Sequence, residues 1–350
     1  MLKSPKFWAG VAVSAVLLGL FFWQIDLRKT ADALRRANYW WFIPAIAVYF
    51  AAVWFRTLRW HVLLRPMKSV SVSRLYPVVV VGYMANNLLP FRAGELVRSL
   101  FVSRREGVSA TAALATIIVE RVLDGIVLIA IALIVWPFLP LPDVLRNFSG
   151  DTGIPLALLL VLVIGPFVTI LAVFLGVALW PALGRVLTRM LVALMPRPLK
   201  SAVQGLALRF VEGVSTLRSP RRLAATLACS FPIWIAEGAM YYFVALAFKL
   251  GQPFHALLVT TSTSNLATSV PSSSGGVGPF EYGARLTLEG LGVGTDVAAA
   301  YAIALHVALL APVTLLGLFY VWQYNLSLGE MLRQKPAEPL APKSAETVQL

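Results

Sequence analysis

Three groups of polar residues interrupt long apolar stretches of this chain, and their residue types could do chemistry. The first is the run from Asn86 and Asn87 through Pro90, Arg92, Gly94 and Glu95 to Arg98. Pro90 removes a backbone donor and Gly94 permits open backbone geometry, so a helix is expected to break here. Arg92, Glu95 and Arg98 then follow at three-residue steps, which stacks them on one face if the helix resumes. The second group is Glu120, Arg121 and Asp124, inside the apolar run Ala112–Phe138. Spacings of three and four put all three on roughly one helical face. The third is the run Pro271-Ser272-Ser273-Ser274-Gly275-Gly276-Val277-Gly278-Pro279-Phe280-Glu281. Its serines and free amides suit a concave anion-binding surface, although no Lys-Ser/Thr follows the glycines as in a Walker loop. A membrane-depth turn whose serines satisfy the backbone would account for the same residues without a ligand.

Each group also has a purely structural reading. Charges at membrane depth are costly and are normally paired inside a bundle or cavity. Glu120, Arg121 and Asp124 then form a buried ion cluster, with Arg92 or Arg98 as natural partners. In the functional reading, which is compatible with that one, an arginine is left to meet an anionic head group. Asn87, Arg92, Glu95, Arg98, Arg121, Ser272 and Ser273 are therefore the candidate substrate-binding residues. Pro90, Gly94, Pro271, Gly275, Gly276 and Gly278 are the candidate hinge residues. Glu237 stands alone among Trp234, Ile235, Met240, Tyr241 and Tyr242, and a lone buried carboxylate either protonates or finds a cation. It and Glu281 are the candidate coupling residues. His306 reads as a packing histidine, to be revised if an intramembrane acid lies near. No catalytic residue is assigned and no cofactor is expected. His61, His255 and His306 lack ligand spacing, so no metal is expected either.

The elements that must position these residues follow from composition. Of 350 residues, 59% are hydrophobic and 13% charged, far below the quarter usual in soluble domains, so the chain reads as an integral membrane protein. The net charge of +14 is spread too thinly for a nucleic-acid face and fits lysines and arginines beside anionic lipid. A spanning helix needs about 20 apolar residues. Six segments qualify: Phe7–Gln24, Tyr39–Phe55, Ala112–Phe138, Pro155–Trp180, Ala224–Phe248 and Val297–Trp322. The first ends in Phe21-Phe22-Trp23 rather than small residues, so it reads as an uncleaved span and not a signal peptide. Leu75–Leu89 and His255–Val270 are marginal, and each runs into a Pro/Gly-rich break. Cys229 is the single cysteine, so no intrachain disulfide can form.

Charge bias orients the segments. The linker 181–223 is rich in arginine and is placed in the cytoplasm, whereas residues 139–154 carry one basic residue, Arg146, and are placed outside. Basic residues before Leu75–Leu89 (Arg56, Arg59, Arg65, Lys68, Arg74) and after it (Arg92, Arg98, Arg104, Arg105) both stay inside if this segment is a re-entrant hairpin. By the same count the second marginal segment enters from the outer face. Arg28, Lys29, Arg35 and Arg36 then lie outside. The expected architecture is an all-α polytopic protein of six spans and two re-entrant hairpins, arranged as inverted repeats. Its transmembrane domain covers 1–325, with halves 1–180 and 224–325 on either side of the linker. Residues 326–350 are a disordered cytoplasmic tail, and both termini are cytoplasmic in a bacterial-type inner membrane.

Asn87 through Arg98, the Glu120-Arg121-Val122-Leu123-Asp124 block and the run from Pro271 to Glu281 together resemble the family of the lysylphosphatidylglycerol synthase transmembrane domain. The resemblance covers about Lys6 to Leu326. Ser274 departs from it, since many members have proline before the paired glycines. The resemblance implies a flippase-like module that moves lipids between leaflets, with aminoacylated phospholipids or hopanoids associated with some members. Nothing here resembles the soluble transferase domain of the synthases, so lipid synthesis by this chain alone is not expected. Membrane lipids are the expected partners, with a lipid-synthesis enzyme as a further one. The alternatives are a membrane-embedded enzyme using Glu95, Glu120 or Asp124 as acid or base, and a scaffold for a synthase.

Overall fold

The computed structural model describes residues 5–89, 93–135, 138–139, 180–193, 220–269 and 274–325, with isolated positions among 155–176, 195–196, 200 and 204. Among them the chain is helical, with no strand. The elements are α1 (Pro5–Trp23), α2 (Leu27–Arg36), α3 (Phe42–Leu64), α4 (Val72–Leu88), α5 (Gly94–Glu106) and α6 (Ala110–Val135). They continue with α7 (Pro181–Ala193), α8 (Pro220–Ala247), α9 (Phe254–Ala267), α10 (Pro279–Gly290) and α11 (Thr295–Gln323).

Local sequence accounts for where several of these begin. The Asp26 carboxylate accepts from the Arg28 and Lys29 amides at 2.9 and 3.3 Å, capping α2. Pro279 opens α10, and the Glu281 side chain returns to the Gly278 amide at 2.8 Å. The serines and threonines of α9 bond their own helix. Thr260, Thr261, Ser262 and Ser264 each donate to the carbonyl four residues back. That satisfies buried hydroxyls without a partner helix, so a polar sequence can sit in an apolar bundle.

Three helices are long and apolar enough to cross a membrane among the described residues: 39–64, 224–247 and 295–323. The helix α6 is 26 residues long but carries Glu120, Arg121 and Asp124. The expected span Tyr39–Phe55 extends to Leu64, so Arg56 and Arg59 belong inside a helix and not to the basic linker after it. The expected span Pro155–Trp180 and the expected tail 326–350 lie outside the described residues. The linker 181–223 begins with a helix, α7.

The packing repeats itself in the two halves. Helices α3 and α8 make the central pair. In the first half α3, α4, α5 and α6 pack in succession; in the second α8, α9, α10 and α11 do the same. The halves also interlock, since α11 packs on α4 and α6 packs on α9. Glycines let the two short pairs close tightly. A Cβ on Gly94 would lie 2.0 Å from the Gly82 carbonyl oxygen, and one on Gly283 would lie 3.0 Å from the Ala267 Cβ.

Contacts fix which ends of the helices lie together. At one end Lys68 donates to the Glu106 carbonyl, Arg74 lies 3.4 Å from the Glu106 carboxylate, and the Arg105 guanidinium lies 4.3 Å from the Tyr324 ring centre. At the opposite end the Asp26 amide donates to Asp296 at 2.7 Å and the Asn38 amide donates to the Ala247 carbonyl at 3.0 Å. The Gln252 amide there donates to the Leu291 carbonyl at 3.1 Å. The pair α4–α5 therefore starts and finishes at the Glu106 end. The pair α9–α10 starts and finishes at the Asp296 end.

Candidate functional site

The tips of these two helical pairs meet in the interior, around a cavity of about 440 Å³. Asn86, Asn87 and Glu95 line it from the first break; Thr268, Ser269, Gly275 and Gly276 line it from the second. The long helices supply Tyr49 and Arg56, Arg121, Trp234 and Glu237, and His306. The walls therefore offer both charges and carboxamides.

Glu237 is not isolated. It is 4% exposed and ion-paired with Arg56, itself 6% exposed. Arg56 also donates to the Tyr83 hydroxyl at 3.3 Å, and its guanidinium lies 4.7 Å from the centre of the Trp234 ring. The other carboxylate oxygen of Glu237 accepts from Asn265 at 2.9 Å. The carboxylate expected to stand alone is therefore one partner of a buried ion pair that joins α3 and α8.

A second network lies behind the first break. Arg59 reaches Asp124 at 2.7 Å and Glu120 at 3.5 Å, and donates to Ser230 at 3.0 Å. Arg98 pairs with Glu120 at 2.8 Å and lies face-on over Trp60, 3.7 Å from the ring centre. The Trp60 indole donates to Thr116 at 3.0 Å. Arg121 approaches Asp124 at 3.2 Å and Glu95 at 3.9 Å. Three guanidiniums thus face three carboxylates, and the network ties α3, α5, α6 and α8 together.

This geometry redistributes the residues expected to bind substrate. Arg98 does not line the large cavity; it is buried and held between Glu120 and Trp60. Glu120 takes Arg98 and Arg59 as partners instead of Arg121. Arg121 does face the cavity, with 30% of its side chain exposed. Asn87 lines it too, while donating to Thr314 at 2.9 Å. The Asn86 side-chain oxygen Oδ1 is buried without a hydrogen-bond partner among the described residues. Glu95 stands at the mouth of the first break. Pro90, Arg92, Pro271, Ser272 and Ser273 lie outside the described residues.

The second break is built from backbone that favours glycine: φ is +71° at Gly275, +74° at Gly276 and +100° at Gly278. His306 holds it in place and is more than a packing residue. Its Nε2 lies 3.0 Å from the Gly275 carbonyl and its Nδ1 lies 2.5 Å from Glu281.

Arg56, Arg59, Tyr49, Tyr83 and Trp234 were not among the expected site residues. Their signal was present but faint. Arg56 and Arg59 are three apart, and the apolar residues around them continue through Leu63 and Leu64. A helix that runs on past Phe55 places both arginines on one inward face.

Residues 7–317 match the lysylphosphatidylglycerol synthase TM region. The chain belongs to that family. It is 25% identical over 339 residues to a UPF0104 membrane protein of Methanothermobacter thermautotrophicus, covering 93% of this chain and 97% of that one. A second UPF0104 membrane protein, from Pyrococcus horikoshii, is 23% identical over 77% of this chain and 83% of its own length. The glycosyltransferase AglD of Haloferax volcanii is 26% identical over 335 residues, which is 88% of this chain and 53% of AglD. No solved structure matches. The protein is thus an integral membrane member of this family.

Proposed function

We propose that the protein moves a lipid with a polar or anionic head group between the leaflets of a cytoplasmic membrane. The observation that carries this reading is the cavity of about 440 Å³ bounded by both breaks, since two broken segments facing one site are how transporters build a binding place. In this reading α4–α5 and α9–α10 are re-entrant hairpins that enter from opposite faces, and the two halves are inverted repeats within a six-span protein. Their outer ends, tied at opposite ends of the bundle, support it. Arg121, Asn86 and Asn87 hold the head group while the tail stays in lipid, and the Gly275–Gly278 break gates the far side. Phospholipids, hopanoids and polyprenyl-linked lipids all have that form. Both termini are then cytoplasmic, and membrane lipids are the partners, with a lipid-synthesis enzyme supplying the cargo.

The test is reconstitution in phosphatidylethanolamine/phosphatidylglycerol vesicles carrying fluorescent phosphatidylglycerol, phosphatidylethanolamine or a polyprenyl phosphate. Dithionite should bleach the inner-leaflet fraction of one of them faster than in protein-free vesicles. Folded protein that leaves all three at the protein-free rate would end the proposal.

The match to a protein named as a glycosyltransferase favours one second reading, a module serving head-group chemistry. This chain spans about half of that relative. Of the three acids expected for acid–base work, Glu120 and Asp124 are buried in ion pairs and Glu95 lines the cavity. Mass change of a lipid incubated with purified protein would select this reading; an unchanged lipid that crosses the bilayer selects translocation.

A further inference from the structure

The contact between His306 and Glu281 has a property that hydrogen-bond chemistry alone defines. A carbonyl oxygen only accepts, so His306 Nε2, 3.0 Å from the Gly275 carbonyl, carries a hydrogen and donates it. His306 Nδ1 lies 2.5 Å from Glu281 Oε1, too close for a lone pair to face a carboxylate. One proton therefore lies between them, on the imidazole or on the carboxyl. The remaining oxygen, Glu281 Oε2, accepts from the Gly278 amide at 2.8 Å.

These three bonds make a closed chain: Gly278 to Glu281, Glu281 to His306, His306 to Gly275. They fasten the turn Gly275–Gly278 to α11. The Phe280 ring stacks on His306, 4.2 Å between ring centres. The opposite side is open, because His306 and Phe280 both line the cavity and so does Gly275. Water in that cavity can take the shared proton. The backbone it holds contains three residues with positive φ, so it settles elsewhere readily once released.

The geometry points to the His306–Glu281 pair as a proton-binding site that latches the second break, so that loss of the shared proton opens the cavity on that side. This rests on the translocation reading above and gives it a coupling ion. With the proton present, the charge-assisted bond holds Gly275 against Leu310, which lines the cavity beside it and is partly covered there. When the proton leaves to cavity water, the Nδ1 lone pair faces Glu281 and the two repel.

The other charged and titratable groups around the cavity are differently placed. Glu237 on α8 is held by Arg56 on α3, and Glu95 on α5 lies near Arg121 on α6. Tyr49 and Tyr83 line the cavity with their hydroxyl-bearing rings, and Tyr241 meets Phe280 edge-on at 6.3 Å. Arg285, on the same helix as Glu281, turns away to Gln24, just after α1, and to Glu289. In each acidic case an arginine already fills the place of the proton, which leaves His306–Glu281 as the pair joined by one.

The experiment reads the latch without transport. Leu310→Cys is placed in a Cys229→Ser background and reconstituted in phosphatidylethanolamine/phosphatidylglycerol vesicles. Alkylation by a water-soluble maleimide is timed between pH 5 and 9, corrected for the pH dependence of a free thiol with the same reagent. The corrected rate should rise roughly tenfold with pH, the factor that about 1.4 kcal/mol of lost closure produces. His306→Gln and Glu281→Gln should each abolish the step. A flat profile in the Leu310→Cys protein itself overturns the proposal, whether or not those two variants fold, and so does a step that survives in either variant. A protein with the step but no lipid movement would retain the latch and lose the translocation reading; lipid movement with a flat profile would do the reverse.

Discussion

Arg56 on α3 and Glu237 on α8 form an ion pair at the crossing of the two central helices, each nearly inaccessible. The pair is also part of the cavity wall, where Asn265 near the end of α9 touches Glu237 and Tyr83 of α4 touches Arg56. One bond thus joins α3 to α8 and touches the two helices, α4 and α9, that run into the breaks.

Removing one partner should cost more than removing both. Glu237→Leu leaves a buried guanidinium unpaired and should lower stability by about 3–5 kcal/mol, the scale for breaking a buried pair. Arg56→Leu with Glu237→Leu replaces the pair by apolar surface and should recover most of that loss. Thermal melting of the single and double variants in one detergent measures the coupling. Additive losses would show that the two charges do not depend on each other.

Two glycine substitutions should differ sharply although both add one methyl group. Gly94→Ala would put its Cβ 2.0 Å from the Gly82 carbonyl oxygen and 2.6 Å from the Asn86 amide, so α4 and α5 would have to separate. Gly107→Ala meets nothing within 4 Å, and only its φ of +66° resists a side chain. The second should cost about 1 kcal/mol, the cost of one residue in the left-handed region. The first should cost several times more and abolish any activity. Comparable melting of the two would mean that the hairpin does not pack through Gly94.

The extent to which these features can be read from sequence depends on contrast with the surroundings. Glu120, Arg121 and Asp124 stand out because each interrupts apolar residues on both sides. Pro/Gly runs mark both breaks for the same reason, and the short apolar segments before them form helices that fold back at the breaks. Arg56 and Arg59 were hidden because they follow an apolar run and precede Arg65 and Lys68, so they read as the basic flank of a span. Their burial is a tertiary fact, since the acids that take them come from α6 and α8, 65 and 181 residues away. His306 was hidden likewise. Its partner Glu281 belongs to the motif that marks the second break, but spacing along the chain says nothing of which helix that motif touches.

The same network separates two arginines that sequence treats alike. Arg98 lies between Glu120 and the Trp60 ring, away from the cavity; Arg121 lines the cavity with 30% of its side chain exposed. Arg98→Ala should therefore act on the fold. It leaves Glu120 with Arg59 at 3.5 Å and uncovers Trp60, a loss of about 3–5 kcal/mol by the measure of a broken buried pair. Arg98→Lys keeps the charge but loses the planar stacking and should recover only part of it. Arg121→Gln should act on the cavity, because Asp124 keeps Arg59 at 2.7 Å and stability falls by about 1 kcal/mol, nearer the value of a partly exposed pair. Melting in detergent and lipid movement in vesicles, measured on the same preparations, give the two quantities. The expected pattern is low melting with residual movement per folded molecule for Arg98→Ala, and near-normal melting with movement lost for Arg121→Gln. The opposite pattern would return Arg98 to the head group and make Arg121 a structural residue.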